Sequence, residues 1–431
     1  MQANKHIQRV YYLATSLYWF ATALPLALMT LLFRARGFSL FEIGLALGVY
    51  SATIVLLEVP TGGLADAVGR KRVALLAYGL MILMSVVLLL AFTLPVVILA
   101  MVLYGMSRAL SSGTLDAWFV DSLQIANPDV DLQPLLAKAG TYTLLALGAG
   151  TLLGSALPQV AGSLPAEGTA VLTPLSLPIL VSVLLKGVLF VFVAAAVHEE
   201  RPSGTTHSWT AGLRATPQVI HEALDLTRKS ETILLLLGTT VAAGLALTAV
   251  ETFWQPQMAL LLNGAADNTI LFGLVMTGSF LAGMGGNLLV TPLSRWLNGR
   301  YALVSALVRG LQGVCLAALA MQTAVPGFAL LFWLVYFNMG ALDSPHRTLL
   351  NAAIPAARRS AMLSVESLAG YLGGMIGSIG LGYVAQQWSI GVTWIVAAAG
   401  LLVSLLLYVR LDRRQRRQRN HPSTYEAEIG N

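Results

Sequence analysis

Long apolar runs separated by short charged joints recur along the whole chain. A window of about 20 residues, the length of one bilayer crossing, selects helices at Tyr11 to Phe33, Phe41 to Pro60, Val73 to Phe92, Val96 to Val120, Ala139 to Val160 and Leu177 to Val197. A second set follows at Ile233 to Phe253, Ile270 to Val290, Ala302 to Met321, Phe328 to Arg347, Ala361 to Ala385 and Ile390 to Val409. Between the sets, His198 to Lys229 carries Glu199, Glu200, Arg201, Arg214, Arg228 and Lys229, too much charge for lipid, and reads as a polar linker. The pattern predicts an all-α membrane protein of about twelve spans. Its expected divisions are a first bundle at 1–197, a central loop at 198–229, a second bundle at 230–410 and a basic tail at 411–431.

Composition strengthens this reading. Hydrophobic residues make up 56% of the chain and charged residues 11%, against about 25% charge in soluble domains. The net charge of +6 sits at helix ends, where it orients a membrane protein rather than forming a groove for nucleic acid. With both termini in the cytoplasm, roughly 21 of the 26 basic residues fall on that side. Only Arg34 and Arg36 fall outside, and Arg108, Lys186 and Arg309 fall within spans. The expected location is the cell inner membrane, multi-pass, with both termini cytoplasmic. The arginines between Arg410 and Arg419 read as a stop-transfer flank or as a contact for anionic lipid. Met1 to Arg9 lacks the features of a cleaved signal, so the first helix is expected to be retained. One cysteine, Cys315, and six scattered histidines offer no disulfide and no metal-ligand spacing, and no cofactor is expected.

The most specific stretch is Gly63-Leu-Ala-Asp66-Ala-Val-Gly69-Arg70-Lys71-Arg72, between the second and third spans. A turn this tight needs glycine, and a carboxylate beside a cationic cluster can bridge neighbouring helix ends. A weaker echo, Pro292-Leu-Ser-Arg295-Trp-Leu-Asn-Gly299-Arg300, occupies the equivalent joint of the second half without the acid. Gly113-Thr-Leu-Asp116 likewise recurs as Gly340-Ala-Leu-Asp343, suggesting duplicated halves. The first stretch resembles the loop signature of the major facilitator superfamily. That resemblance covers the whole topology and implies the major facilitator fold, two pseudo-symmetric six-helix bundles. It also implies that Gly63, Asp66, Gly69, Arg70, Lys71 and Arg72 form a conformational latch, with Asp121 as partner. The family's proton-coupled drug exporters carry Arg, then Gly four residues later, in the fourth helix; here Met101 and Gly105 take those places. Gly148, Gly150 and Gly154 occur in the fifth helix without those exporters' Gly-Pro pair.

An ionisable group at the bilayer centre costs about 2.5–3.5 kcal/mol or more and persists mainly when paired or functional. The candidates for a proton or substrate path are Glu58, Arg108, Asp116, Glu251, Trp254, Asp343 and Glu366. Arg108 reads as mid-span, two turns before Asp116 on a similar face. Glu58, Asp116, Asp121 and Asp343 lie near helix ends, where pairing with Arg70, Lys71 or Arg347 is a sufficient structural reason for them. Trp254, with Glu251 as counter-charge, is either an interface anchor or part of a cavity wall.

The reading that follows is a secondary transporter exporting small hydrophobic or amphipathic compounds by proton-coupled alternating access, acting as a monomer in the lipid bilayer. The alternative within the same fold is proton-coupled uptake of a small polar solute; a membrane sensor or enzyme is the remaining class. No Walker-type glycine loop and no His-Glu-x-x-His sequence occurs, which disfavours ATP hydrolysis and metal-assisted hydrolysis.

Overall fold

The structure is a computed structural model describing residues 2–62, 64–168, 170–199, 225, 227–263, 268–355 and 358–420. The predicted central loop lies almost wholly outside these residues, as does Gly63. Among the described residues the regular structure is helical, without strands. The helices are α1 (Gln2–Ala23), α2 (Met29–Ala35), α3 (Leu40–Gly62), α4 (Leu64–Val68), α5 (Arg70–Leu89), α6 (Leu94–Ser111), α7 (Thr114–Ala126), α8 (Leu132–Ala156) and α9 (Leu177–Ala196). There follow α10 (Glu231–Leu261), α11 (Thr269–Trp296), α12 (Tyr301–Ala320), α13 (Val325–Ala353), α14 (Arg359–Ile376), α15 (Gly382–Gln387) and α16 (Ile390–Asn420). Eleven stretches of the described residues are long and apolar enough to cross a membrane. The first predicted span is the one not among them.

That span is broken. Pro25 has no N–H to donate and disfavours helix at the residue before it, so α1 ends at Ala23 and the chain turns before α2 begins. The fourth predicted span, Val96 to Val120, is likewise two helices: α6 stops at Ser111, and Gly113, at φ +67°, turns the chain into α7. Such a backbone angle is costly for residues with a Cβ, which explains glycine here. The eleventh span contains a π turn at Gly377–Leu381 between α14 and α15. At the C-terminus, α16 runs on to Asn420, through much of the expected tail, because Leu411 packs into the core and Asp412 pairs with Arg300 at 2.8 Å.

The chain forms two compact units. The first comprises Met1–Gln218 with Glu251–Thr277 and Ser378–Gln386. Within it α1 packs on α8 and α9, and α6 packs on α3 and α5. Val10, Tyr11, Trp118, Phe119 and Leu189 form one apolar centre. The two later segments belong here because their polar groups are satisfied here. Gln255, on α10, accepts from Thr30 N–H at 2.8 Å and donates to the Leu26 carbonyl at 3.0 Å, replacing bonds lost at the break after α1. Thr269 donates to the Ser155 carbonyl at 2.6 Å, and Gln386 accepts from Leu40 N–H at 3.1 Å.

The second unit comprises Val219–Val250, Gly278–Gly377 and Gln387–Asn431. There α12 packs on α13 and α16 around Leu236, Val304, Leu342, Leu350 and Tyr408. Gly373 of α14 faces the Val241 backbone of α10 so closely that a Cβ would collide with it. Small residues at such crossings let membrane helices pack by direct backbone approach. Outward-facing leucines such as Leu184, Leu288 and Leu406 are more than half exposed, which suits hydrocarbon surroundings.

Candidate functional site

In the first unit the start of α5, with Arg70, Lys71 and Arg72, marks one end, called the basic end here. Arg70 opens α5 and reaches Asp121 of α7 at 2.9 Å, with side-chain exposures of 20% and 51%. The Glu199 carboxylate accepts from the backbone N–H groups of Arg70 at 2.8 Å and Lys71 at 3.4 Å. Those amides have no intrahelical acceptor, and a carboxylate opposite them satisfies both bonding and the helix dipole. The chain beyond α9 is thereby fastened to the start of α5, and the Trp118 indole donates to the His198 carbonyl at 2.9 Å. Among the predicted latch residues, Arg70 and Asp121 meet directly. Lys71 and Arg72 occupy the first turn of α5 behind Gly69. Asp66 lies in α4, and its side chain is outside the described residues.

Several of the predicted path residues occupy different surroundings from those expected. Arg108 lies half-buried in the last turn of α6. The break at Ser112 and Gly113 separates it from Asp116, so the shared helical face inferred from spacing does not exist; a period argument holds only within one unbroken helix. Asp116 instead accepts from Tyr11 OH at 2.6 Å, while that tyrosine ring stacks on Phe119 at 3.9 Å. Trp254 is only 1% exposed and packs 5.8 Å from Phe272, so in this structure it is core rather than cavity wall. Glu251, one turn earlier, is exposed, and Glu58 is half-buried near the end of α3. Asp343 forms an i,i+4 ion pair with Arg347 at 2.8 Å, the structural alternative that spacing allowed.

The second unit places the remaining candidate, Glu366, in a connected polar network. Glu366 sits about seven residues into α14, ~10 Å of helix rise from its basic end. Its Oε1 lies 3.1 Å from Nε2 of His346 on α13, with side-chain exposures of 19% and 13%. The same nitrogen is 3.3 Å from Thr240 Oγ1 on α10, and Nδ1 is 2.8 Å from Tyr408 OH on α16. Thr239 Oγ1 donates to that tyrosine hydroxyl at 3.2 Å. Arg309 lies 6.0 Å over the Tyr408 ring and donates to Gln312 at 2.8 Å.

This geometry fits proton exchange. Facing an ionised carboxylate, Nε2 carries the ring hydrogen. Nδ1 then accepts from Tyr408 OH when the ring is neutral and donates to it when the ring is cationic, since a phenol both donates and accepts. The imidazole therefore keeps a partner at each nitrogen in its neutral and in its cationic form. Sequence reading singled out Glu366 and passed over His346, because the histidine belongs to another helix at no ligand-like spacing. The available signal was that an intramembrane glutamate requires a partner. Lys186 on α9 is buried differently: its Nζ donates to Ser85 Oγ at 2.8 Å, between α9 and α5.

Helical spans, the Arg70–Asp121 ion pair and a half-buried carboxylate–imidazole pair fit a polytopic membrane protein. The family model for the Major Facilitator Superfamily matches residues 11–341 and 266–427. The chain belongs to the major facilitator superfamily and is a membrane transporter, not an enzyme. An uncharacterized MFS-type transporter of Bacillus subtilis (strain 168), YxaM, is 21% identical over 384 residues, covering 87% of this chain and 88% of the relative. The crystal structure of the nucleoside transporter NupG superimposes with a TM-score of 0.74 at 13% identity, covering 94% of this chain and 98% of NupG. A mutant NupG structure gives 0.72, covering 94% and 99%. The fold is thus the superfamily's arrangement of two six-helix bundles.

Proposed function

We propose that this transporter exports small hydrophobic or amphipathic compounds in exchange for protons, by alternating access. The observation that carries the reading is the His346–Glu366 pair, half-buried among α10, α13, α14 and α16 and supported at both ring nitrogens. A carboxylate that binds a proton on one face of the membrane and releases it on the other is the minimum such coupling needs. Arg70 and Asp121 act as the latch that opens and closes with each cycle, together with Asp66. The basic end faces the cytoplasm of an inner membrane, and one chain suffices for transport. Against a polyanionic cargo, Lys186 and Arg309 both spend hydrogen bonds on protein groups, Ser85 and Gln312.

The test is efflux of a panel of lipophilic cations from cells expressing wild type, Glu366→Gln or Glu251→Gln, with and without a protonophore. Extrusion abolished by protonophore and by Glu366→Gln is the expected result. Loss only in Glu251→Gln would move the proton site to α10. Protonophore-sensitive accumulation of an external polar solute, with no extrusion, would replace export by uptake symport. The likeness to NupG bears on the fold and does not select between these directions.

A further inference from the structure

Within the first unit, α1, α8 and α9 border a groove of about 610 Å³. Its walls include Leu13, Phe20, Tyr142, Leu145, Val188 and Phe192, and apart from the Tyr142 hydroxyl Ser16 is the one polar side chain lining it. Leu13, Leu145 and Val188 are each more than half exposed, so in a membrane-spanning chain the groove opens sideways onto hydrocarbon. Its volume falls within the roughly 300–1,000 Å³ typical of small-molecule sites, yet it offers almost nothing for a polar ligand to bond.

A cation stands where the groove approaches the basic end. Lys138 precedes Tyr142 by one turn of α8, and its Nζ lies 5.8 Å from the Tyr142 ring centroid and 5.5 Å from that of Tyr12. Two aromatic faces hold the ammonium in place without neutralising it. Among the described residues Lys138 forms no ion pair. An apolar slot open to lipid, with an ammonium at its basic-end mouth that forms no ion pair among the described residues, complements an amphiphile with an anionic head.

We infer that this groove binds an anionic phospholipid of the leaflet at the basic end, one acyl chain along α1 and the phosphate against Lys138. The inference is independent of which cargo the protein moves. Phosphatidylglycerol and phosphatidylcholine probes carrying the same diazirine-bearing acyl chain would be reconstituted with the full-length protein, and crosslinked residues mapped by mass spectrometry. In wild type, crosslinks to Leu13, Leu145 and Val188 are expected with phosphatidylglycerol over phosphatidylcholine by about fivefold, the factor one lysine contributes near an anionic headgroup. Lys138→Ala is expected to reduce that ratio to about one, and Lys138→Arg to keep it. Ala149→Phe, which fills the groove, is expected to lower labelling by both probes. Equal labelling of wild type by the two probes, or an unchanged ratio in Lys138→Ala, would overturn the assignment. So would preferential labelling of the groove by a lipophilic-cation probe, which would make it a cargo entrance.

Discussion

Truncating His346 to alanine leaves the Glu366 carboxylate in a largely buried site without its imidazole. Leaving a largely buried carboxylate without its hydrogen-bond partner costs about 1–3 kcal/mol, and exposures of 13% and 19% together with the carboxylate's charge place this site toward the upper figure. Tyr408 adds little, since its hydroxyl still receives the Thr239 bond. Glu366→Gln keeps an oxygen for Nε2 and removes only the charge, so a loss of about 1 kcal/mol is expected. The double variant has no stranded charge. Its loss should be about 2 kcal/mol rather than the ~4 kcal/mol of the two singles added, a coupling of about 2 kcal/mol between contacting residues. Denaturant unfolding of the full-length protein in detergent, for wild type and the three variants, measures this cycle. Additive losses would refute the pairing, whatever the variants do to transport. In proteoliposomes the double variant should still exchange cargo down its own gradient while losing its response to an imposed pH gradient.

Three further outcomes follow from the same geometry. The Arg70–Asp121 pair is partly exposed, so Arg70→Ala should change stability by less than about 1 kcal/mol while slowing transport. The charge-swapped Arg70→Asp/Asp121→Arg protein should transport faster than either single reversal, and failure to recover would argue against a latch made by this pair. Gln255→Leu strands the buried Thr30 N–H, worth about 1–3 kcal/mol when left unbonded, and frees the part-buried Leu26 carbonyl; an unchanged unfolding midpoint would mean that Gln255 does not hold the broken helix. Gly373→Leu drives a side chain into the Val241 backbone and should cost about 1–3 kcal/mol. Gly187→Ala, where an added Cβ meets nothing within 4 Å, is the control for a glycine without such a neighbour.

What the chain discloses before folding depends on how local the physics is. Apolar runs long enough to cross a bilayer need no tertiary information, because lipid imposes their length and helicity. The Arg70–Asp121 pair was legible through the resemblance of the stretch from Gly63 to Arg72 to the major facilitator loop signature, which implied Asp121 as partner. The breaks at Pro25 and Gly113 were less visible: proline and glycine are common in membrane helices, and whether one interrupts a span depends on what satisfies the freed backbone. Gln255 does so from more than 200 positions away in sequence, at a separation of 229 from Leu26. The Arg108–Asp116 face failed for the same reason, since helical spacing was carried across a turn.

The sequence by itself determined that this is a helical membrane protein of the major facilitator superfamily and where most of its spans lie, though not the breaks in the first and fourth or the extension of the last to Asn420. Only the tertiary structure decided which of the candidate carboxylates has a histidine partner. Asp343 is taken by Arg347 and Asp116 by Tyr11, while Glu366 meets His346 and, through the imidazole, Thr240 and Tyr408. Hydropathy is a property of each segment against the bilayer and can be read along the chain. A hydrogen-bonded pair depends on the rotation and depth of four helices against one another, and those are set by packing among residues far apart in sequence.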